Sequence, residues 1–130
     1  MTTRVLIVDD EADLVEMLAL RLRATGLFEV AVAHDGAESL EKTPEFKPDV
    51  VLLDNVMPGM DGWETCRRLR ESPEGARAAV VMMTAGSPVK AREKAKNMRL
   101  EGLIFKPYEP AQVIETLKAV RPGSSKENTC

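Results

Sequence analysis

Asp9, Asp10, Asp54, Thr84 and Lys106 share one feature of placement: each stands where a short apolar run ends. Val5-Leu6-Ile7-Val8 runs into Asp9-Asp10-Glu11, and Val50-Val51-Leu52-Leu53 into Asp54. Ala79 to Met83 runs into Thr84, and Leu103-Ile104-Phe105 into Lys106-Pro107. If these runs are neighbouring parallel strands, the carboxylates converge at one sheet edge with the hydroxyl and the ammonium beside them. Carboxylates within a few ångströms repel one another, so a site that keeps them ionised needs a counter-charge. A hard divalent cation supplies it: Mg²⁺ prefers oxygen ligands, keeps several waters and is commonly held by one or two carboxylates plus phosphate oxygens. A set without His or Cys fits that preference. A phosphate donor held beside Asp54 could then pass its phosphoryl group to that carboxylate, giving an aspartyl-phosphate. In-line transfer asks the protein mainly for positioning and charge neutralisation. Lys106 would add charge, and the Thr84 hydroxyl would donate to a phosphoryl oxygen.

The elements needed to bring these groups together are legible. All-apolar runs of this length read as strands buried on both faces, and Pro58-Gly59 with Asp61-Gly62 turns the chain after Asp54. Ala12 to Ala24 repeats Leu14, Val15, Leu18, Ala19 and Leu22 at helical spacing, with Gly26 as a stop. Glu29 to Ala33 alternates as a second strand. Asp35-Gly36 leads into a helix from Ala37 to Thr43, and Pro44 and Pro48 bracket the link to the central strand. A third helix spans Trp63 to Glu71. It has Trp63, Cys66 and Leu69 on one face and Glu64, Arg67, Arg68 and Arg70 largely turned to solvent, and Ser72-Pro73-Glu74-Gly75 ends it. Ser87-Pro88 opens a fourth helix, which Lys90, Arg92, Lys94, Lys96 and Arg99 make basic. Gly102 to Phe105 forms the fifth strand and Pro110 to Ala119 the last helix, its buried stripe Val113, Ile114 and Leu117. Five strands alternating with five helices imply right-handed crossovers and a doubly wound parallel α/β sheet. Such sheets bind ligands at the carboxyl ends of their strands.

Composition narrows the function classes. A chain of 130 residues with 44% apolar residues, 30% charged residues and a net charge of −3 fits one ordinary globular domain. Nothing in that balance favours nucleic acid as a direct partner. The first apolar run is too short for the core of a signal peptide, and no run approaches the ~20 residues of a membrane span, so no membrane insertion is expected. Cys66 and Cys130 lack metal-ligand or disulfide spacing and are read as free thiols in a reducing cytoplasm. Residues 122–130 show no apolar periodicity and are expected to be disordered, whether as a natural end, an appended remnant or the start of a linker. His34 reads as a loop residue, Trp63 as a half-buried helix residue, and Met57, Met60, Met82 and Met83 as loop and core filler. The basic helix reads as a solvated face, with docking of an acidic partner as the alternative.

Asp9-Asp10-Glu11, Asp54 with Met57-Pro58-Gly59-Met60-Asp61-Gly62, Thr84-Ala85 and Lys106-Pro107 stand in an order and spacing that resembles the receiver domain of two-component response regulators. In size the chain is similar to the single-domain chemotaxis regulators. The likeness covers Arg4 to Val120, with residues 1–121 as the expected receiver domain. It implies a flavodoxin-like (βα)5 fold with strand order 2-1-3-4-5. It also implies Asp54 as phosphoacceptor, Asp10 binding Mg²⁺ directly, Asp9 mostly through water, and the Val56 backbone carbonyl completing the protein ligands. Thr84 would be the switch hydroxyl, Lys106 the phosphate-pairing cation, and Lys106-Pro107 a cis peptide. The partners implied are a sensor histidine kinase and a downstream output protein or an effector domain cut away, with the chain a monomer or a weak phosphorylation-dependent dimer. Such a module catalyses only its own phosphorylation and dephosphorylation and is not counted an enzyme.

Two departures from the family pattern stand out. Leu103 occupies the place, three residues before the lysine, where the family usually carries Tyr or Phe, and Arg99-Leu100 replaces the usual Gly-Ala. Signalling through the fourth helix and fifth strand is therefore expected to differ from the common threonine–aromatic coupling. Val56 and Gly86, two past Asp54 and two past Thr84, cannot position water, so slow self-dephosphorylation is expected. Two other functions compete. A phosphatase of the haloacid dehalogenase type also uses an Asp nucleophile and Mg²⁺, but it needs an acid where Val56 stands. A pseudo-receiver serving only as an interaction scaffold would leave the acidic set without use.

Overall fold

The computed structural model describes residues 2–120; Cys130 and the tail at 122–130 lie outside them. Five parallel strands form one sheet: β1 (Thr3–Val8), β2 (Phe28–Ala33), β3 (Val50–Asp54), β4 (Ala79–Thr84) and β5 (Gly102–Phe105). Their order is β2-β1-β3-β4-β5, as expected. β3 and β4 are buried along their whole length, which is why their sequences are apolar without alternation.

Residues still alternate between two layers. Val5, Ile7, Val50, Leu52, Val81 and Met83 point to one core, shared with α1 (Ala12–Ala24) through Leu18 and Leu22 and with α6 (Pro110–Ala119) through Val113 and Leu117. Leu6, Val8, Val51, Leu53, Val80 and Met82 point to the other, where α3 (Gly62–Leu69) adds Cys66 and Leu69. Half-buried Leu40 and Phe46 of α2 (Gly36–Phe46) pack against that second core. Ile114 is half-buried and not part of the closed core. Among the described residues no helix is long and apolar enough to cross a membrane.

The structure corrects the expected helices in four places. α2 does not stop at Thr43 but runs to Phe46 with Pro44 inside it. Pro44 falls in the last turn, where its missing N–H removes only one bond of the ladder. That turn is held by the Lys47 N–H donating to the Thr43 carbonyl at 2.9 Å, and by Phe46 packing under the Arg4 guanidinium, 4.8 Å from the ring centroid. Second, Ser72-Pro73-Glu74-Gly75 begins a sixth helix, α4 (Pro73–Arg77). The Ser72 hydroxyl accepts from the Gly75 N–H at 3.1 Å, Pro73 sits at the first position, where proline is favoured, and a Cβ on Gly75 would lie 2.0 Å from the Leu69 carbonyl oxygen.

Third, Arg70 does not turn to solvent. Its guanidinium donates to the carbonyls of Ala78, just before β4, and Arg99, in the turn after the basic helix, each at 3.2 Å. Fourth, α5 (Pro88–Asn97) ends before Arg99, which stands beyond it at φ 57.

Candidate functional site

Register brings the strand tips together. Val8 lies opposite Leu53, Asp54 opposite Met83, and Thr84 opposite Phe105. Asp9 and Lys106 each follow a strand by one residue, so both reach the same edge. The ladder continues past the strand ends: Asp9 N–H donates to Ala33 O at 3.1 Å, Asn55 N–H to Met83 O at 2.9 Å and Lys106 N–H to Thr84 O at 2.8 Å. The Lys106–Pro107 peptide is cis.

One carboxylate oxygen from each of Asp9, Asp10 and Asp54 lies within 4.8 Å of the others. Asp9 and Asp54 are 1% and 2% exposed, whereas Asp10 faces solvent. Burial, opposed by the Glu11 N–H that donates to Asp9 Oδ1 at 3.0 Å and reinforced by the charge of Asp54, pushes the Asp9 carboxyl up to about 6. Lys106 Nζ donates to Asp54 Oδ1 at 2.7 Å. Burial alone would lower the lysine, but that bond and the charges of Asp54 and Asp9 outweigh it and hold the ammonium above its ordinary range. Two buried carboxylates against one ammonium leave net negative charge in a set of oxygen donors, which suits a hard divalent cation.

Thr84 is 2% exposed, and its hydroxyl oxygen accepts from Asn55 Nδ2 at 3.2 Å and from the Gly86 N–H at 3.3 Å. Val56 is 69% exposed in the loop after Asp54. Leu103 is half-buried against the second core, as are Trp63, Met98 and Leu100. α5 is lightly seated: Ala91 is its only buried residue, and Lys94 stands 5.2 Å from the Trp63 ring centroid, Arg92 5.1 Å from that of Phe105. A cavity of about 390 Å³ opens beside the acidic edge, lined by Glu11, Leu14, Ala85, Lys106, Pro107 and Tyr108. A smaller one of about 140 Å³ runs from Asn55 and Thr84 to Trp63 and Lys94.

The five residues marked out by their place at strand ends thus meet at one edge. Asn55 was not among them, because an amide next to a turn reads as turn chemistry; only its neighbour across the sheet reveals its contact. Tyr108 was also missed. Its hydroxyl is buried without a hydrogen-bond partner among the described residues, and burial, then the charge of Asp9, push it above the usual phenol range.

The family profile described as the response regulator receiver domain matches residues 5–118. The chain belongs to the response regulator receiver domain family. The DNA-binding response regulator MtrA of Mycobacterium tuberculosis is 37% identical over 119 residues, 92% of this chain and 50% of that protein. The chain therefore spans about half the length of the relatives it matches. Among solved structures, a putative response regulator from Chloroflexus aurantiacus is 32% identical with a TM-score of 0.82, over 92% of this chain and 98% of that one. The chemotaxis protein CheY4 of Vibrio cholerae is 29% identical with a TM-score of 0.85, over 92% and 99%. Receiver domains are signalling modules of two-component systems that work with histidine kinases, and the flavodoxin-like order β2-β1-β3-β4-β5 is theirs.

Proposed function

We propose that the receiver domain, residues 1–121, takes a phosphoryl group on Asp54 from the phosphohistidine of a sensor histidine kinase and changes its surface in response. The observation that carries this reading is the Asp54 carboxylate, buried at the sheet edge with Lys106 Nζ 2.7 Å away and Asp9 and Asp10 beside it. Asp54 attacks phosphorus in line as the bond to the donor nitrogen breaks. Lys106 holds the carboxylate in place and then shares its charge with the transferred group, while Thr84 donates to a phosphoryl oxygen. Asp9, Asp10, Asp54 and the Val56 carbonyl would hold Mg²⁺, which supplies the positive charge that the three carboxylates and a phosphate together require. The cavity by Leu14 and Pro107 gives an apolar approach for the donor's surface.

Turnover on external phosphoesters is disfavoured by Val56, an exposed aliphatic residue where a general acid would be needed. With Gly86 at the other water-positioning place, self-dephosphorylation is slow. Leu103, half-buried against the second core, carries the signal by repacking and not by an aromatic swing. Output passes to a separate protein or an effector segment. MtrA is named as DNA-binding, but with a net charge of −3 this chain would reach DNA only through such a segment. The compartment expected for this chemistry is the cytoplasm.

Intact-mass measurement after acetyl phosphate and Mg²⁺ tests the assignment. A single phosphoryl adduct that disappears in Asp54→Asn and when chelator replaces Mg²⁺ is the expected result. An adduct that survives Asp54→Asn would move the acceptor elsewhere, and none at all would favour a scaffold.

A further inference from the structure

Thr84 has one proton to give and two lone pairs to fill. Both lone pairs are engaged, one by Asn55 Nδ2 at 3.2 Å and the other by the Gly86 N–H at 3.3 Å. The hydroxyl proton is thereby confined to the remaining tetrahedral direction, and Thr84 is left as a donor only. A phosphoryl oxygen is an acceptor only, so this is the hydroxyl state that it requires.

Asn55 is built to hold that position. Its N–H donates to Met83 O and its carbonyl accepts from the Gly62 N–H, each at 2.9 Å. A Cβ at Gly62 would stand 2.8 Å from Asn55 Cα, so glycine there lets the loop close against this residue. The amide is carried on a backbone fixed at both ends and a stem of only two rotatable bonds. Lys90, Ser87 and Trp63 share its cavity, yet no side chain but Asn55 donates to the Thr84 oxygen among the described residues.

We propose that Asn55 is a positioning residue for phosphoryl capture: its amide fills a lone pair of Thr84 and so presets the hydroxyl as the donor to the group on Asp54. The inference rests on the reading of Asp54 as phosphoacceptor. Asn55 acts through Thr84 and does not touch the reacting atoms.

Beryllofluoride with Mg²⁺, titrated into the full chain and followed by the midpoint of the Trp63 fluorescence change, provides the test. Asn55→Ala, which removes the donor, weakens binding about fivefold, the worth of one neutral hydrogen bond. Asn55→Asp keeps the shape but only accepts, drawing the Thr84 proton to itself, and weakens binding more than Asn55→Ala. In a Thr84→Val background the Asn55→Ala change has no effect on binding, which a merely structural role would not produce. Without Mg²⁺, Asn55→Ala shifts the NMR signals of the Thr84 methyl and the Gly86 amide. Unchanged or tighter binding in Asn55→Ala overturns the inference, tighter binding marking the amide as a restraint on Thr84. An equal loss in the Thr84→Val background overturns it too. If the unsubstituted chain gives neither a beryllofluoride response nor a phosphoryl adduct, the reading of Asp54 fails and this inference falls with it. If the unsubstituted chain responds and both Asn55 variants match it, this inference alone is lost.

Discussion

At the N-terminal ends of the strands the acidic side chains have partners in place, whereas at the C-terminal ends two buried carboxylates face one another across a single lysine. Glu101 Oε1 accepts from the Val80 N–H at 2.7 Å and from Arg70 at 3.4 Å. Asp49 Oδ2 accepts from the Arg4 N–H at 2.8 Å, and the Asp49 N–H returns to the Arg4 carbonyl at 2.8 Å. Opposite them, burial and the charge of Asp54 raise Asp9, and Lys106 is committed to Asp54. The same residue types therefore do unlike work at the two ends of one sheet. The closed end fixes the strands relative to one another, and the open end holds unbalanced charge that a cation and a phosphoryl group can relieve.

Removing a partner from the closed end has the largest expected effect. Glu101→Ala strips the Val80 N–H and Arg70 of an ionised acceptor, and the cost of leaving such groups unpaired is about 2–3 kcal/mol. Urea denaturation should record that loss while the yield of the Asp54 adduct stays unchanged under native conditions. A loss of adduct without a loss of stability would mean that the two ends are not separate in function.

At the open end the sign reverses. Asp9 has a folded-state pKa of about 6 against an ordinary value of 3.8, so the folded protein binds its proton more tightly than the unfolded chain does. The contribution of Asp9 to the stability of the metal-free protein therefore falls as pH rises from 3.8 to about 6 and stays lowered above that. Asp9→Asn should stabilise the metal-free protein by about 1–2 kcal/mol at pH 8, the advantage vanishing below pH 4, where Asp9 is protonated in both states. With Mg²⁺ in excess the unsubstituted protein should recover the difference and Asp9→Asn should not. Equal metal-free stability of the two proteins at pH 8 would show that neither the cost of burying the Asp9 charge nor its repulsion from Asp54 is stored at this edge.

The open end was the more legible in sequence, for a physical reason. A strand buried on both faces is a run of apolar residues, and an acid at the end of such a run has no local partner to explain it, so Asp9 and Asp54 stand out, whereas Thr84 and Lys106 gain meaning only from their joint spacing with Asp54. The closed end depends on partners far apart in the chain: nothing near Arg70 announces Glu101 or the carbonyl of Arg99. α4 was hidden because a Ser-Pro-Glu-Gly segment serves equally as a stop or as a cap with a first turn, and the Ser72 cap together with the close approach of the Leu69 carbonyl to Gly75 settles it as the second. Pro44 misled because proline ends helices when nothing else holds the turn, and here Phe46 holds it. Asn55 escaped because its partner is 29 residues away on the next strand.

The smallest expected effect concerns α5, which follows the open end through Ser87 and Pro88. α1 buries Val15, Leu18, Ala19 and Leu22, but α5 buries Ala91 alone, so its seating relies on long cationic side chains over Trp63 and Phe105. An exposed cation over an aromatic ring is worth about 0.5–1 kcal/mol. Lys94→Ala should therefore cost about 0.5 kcal/mol in global stability, near the limit of urea denaturation. Its local effect should be plainer. Opening of α5 needs little apolar surface to leave the core, so its amides should exchange with solvent at a lower free energy than those of α1, and loss of the Trp63 contact should lower it further. Hydrogen exchange in α5 that quickens in Lys94→Ala while exchange in α1 stays unchanged would mark α5 as the element free to respond when the open end is filled. Protection in α5 equal to that in α1, and unmoved by the substitution, would mean that the helix is held by the whole fold and that any signal must leave by another face.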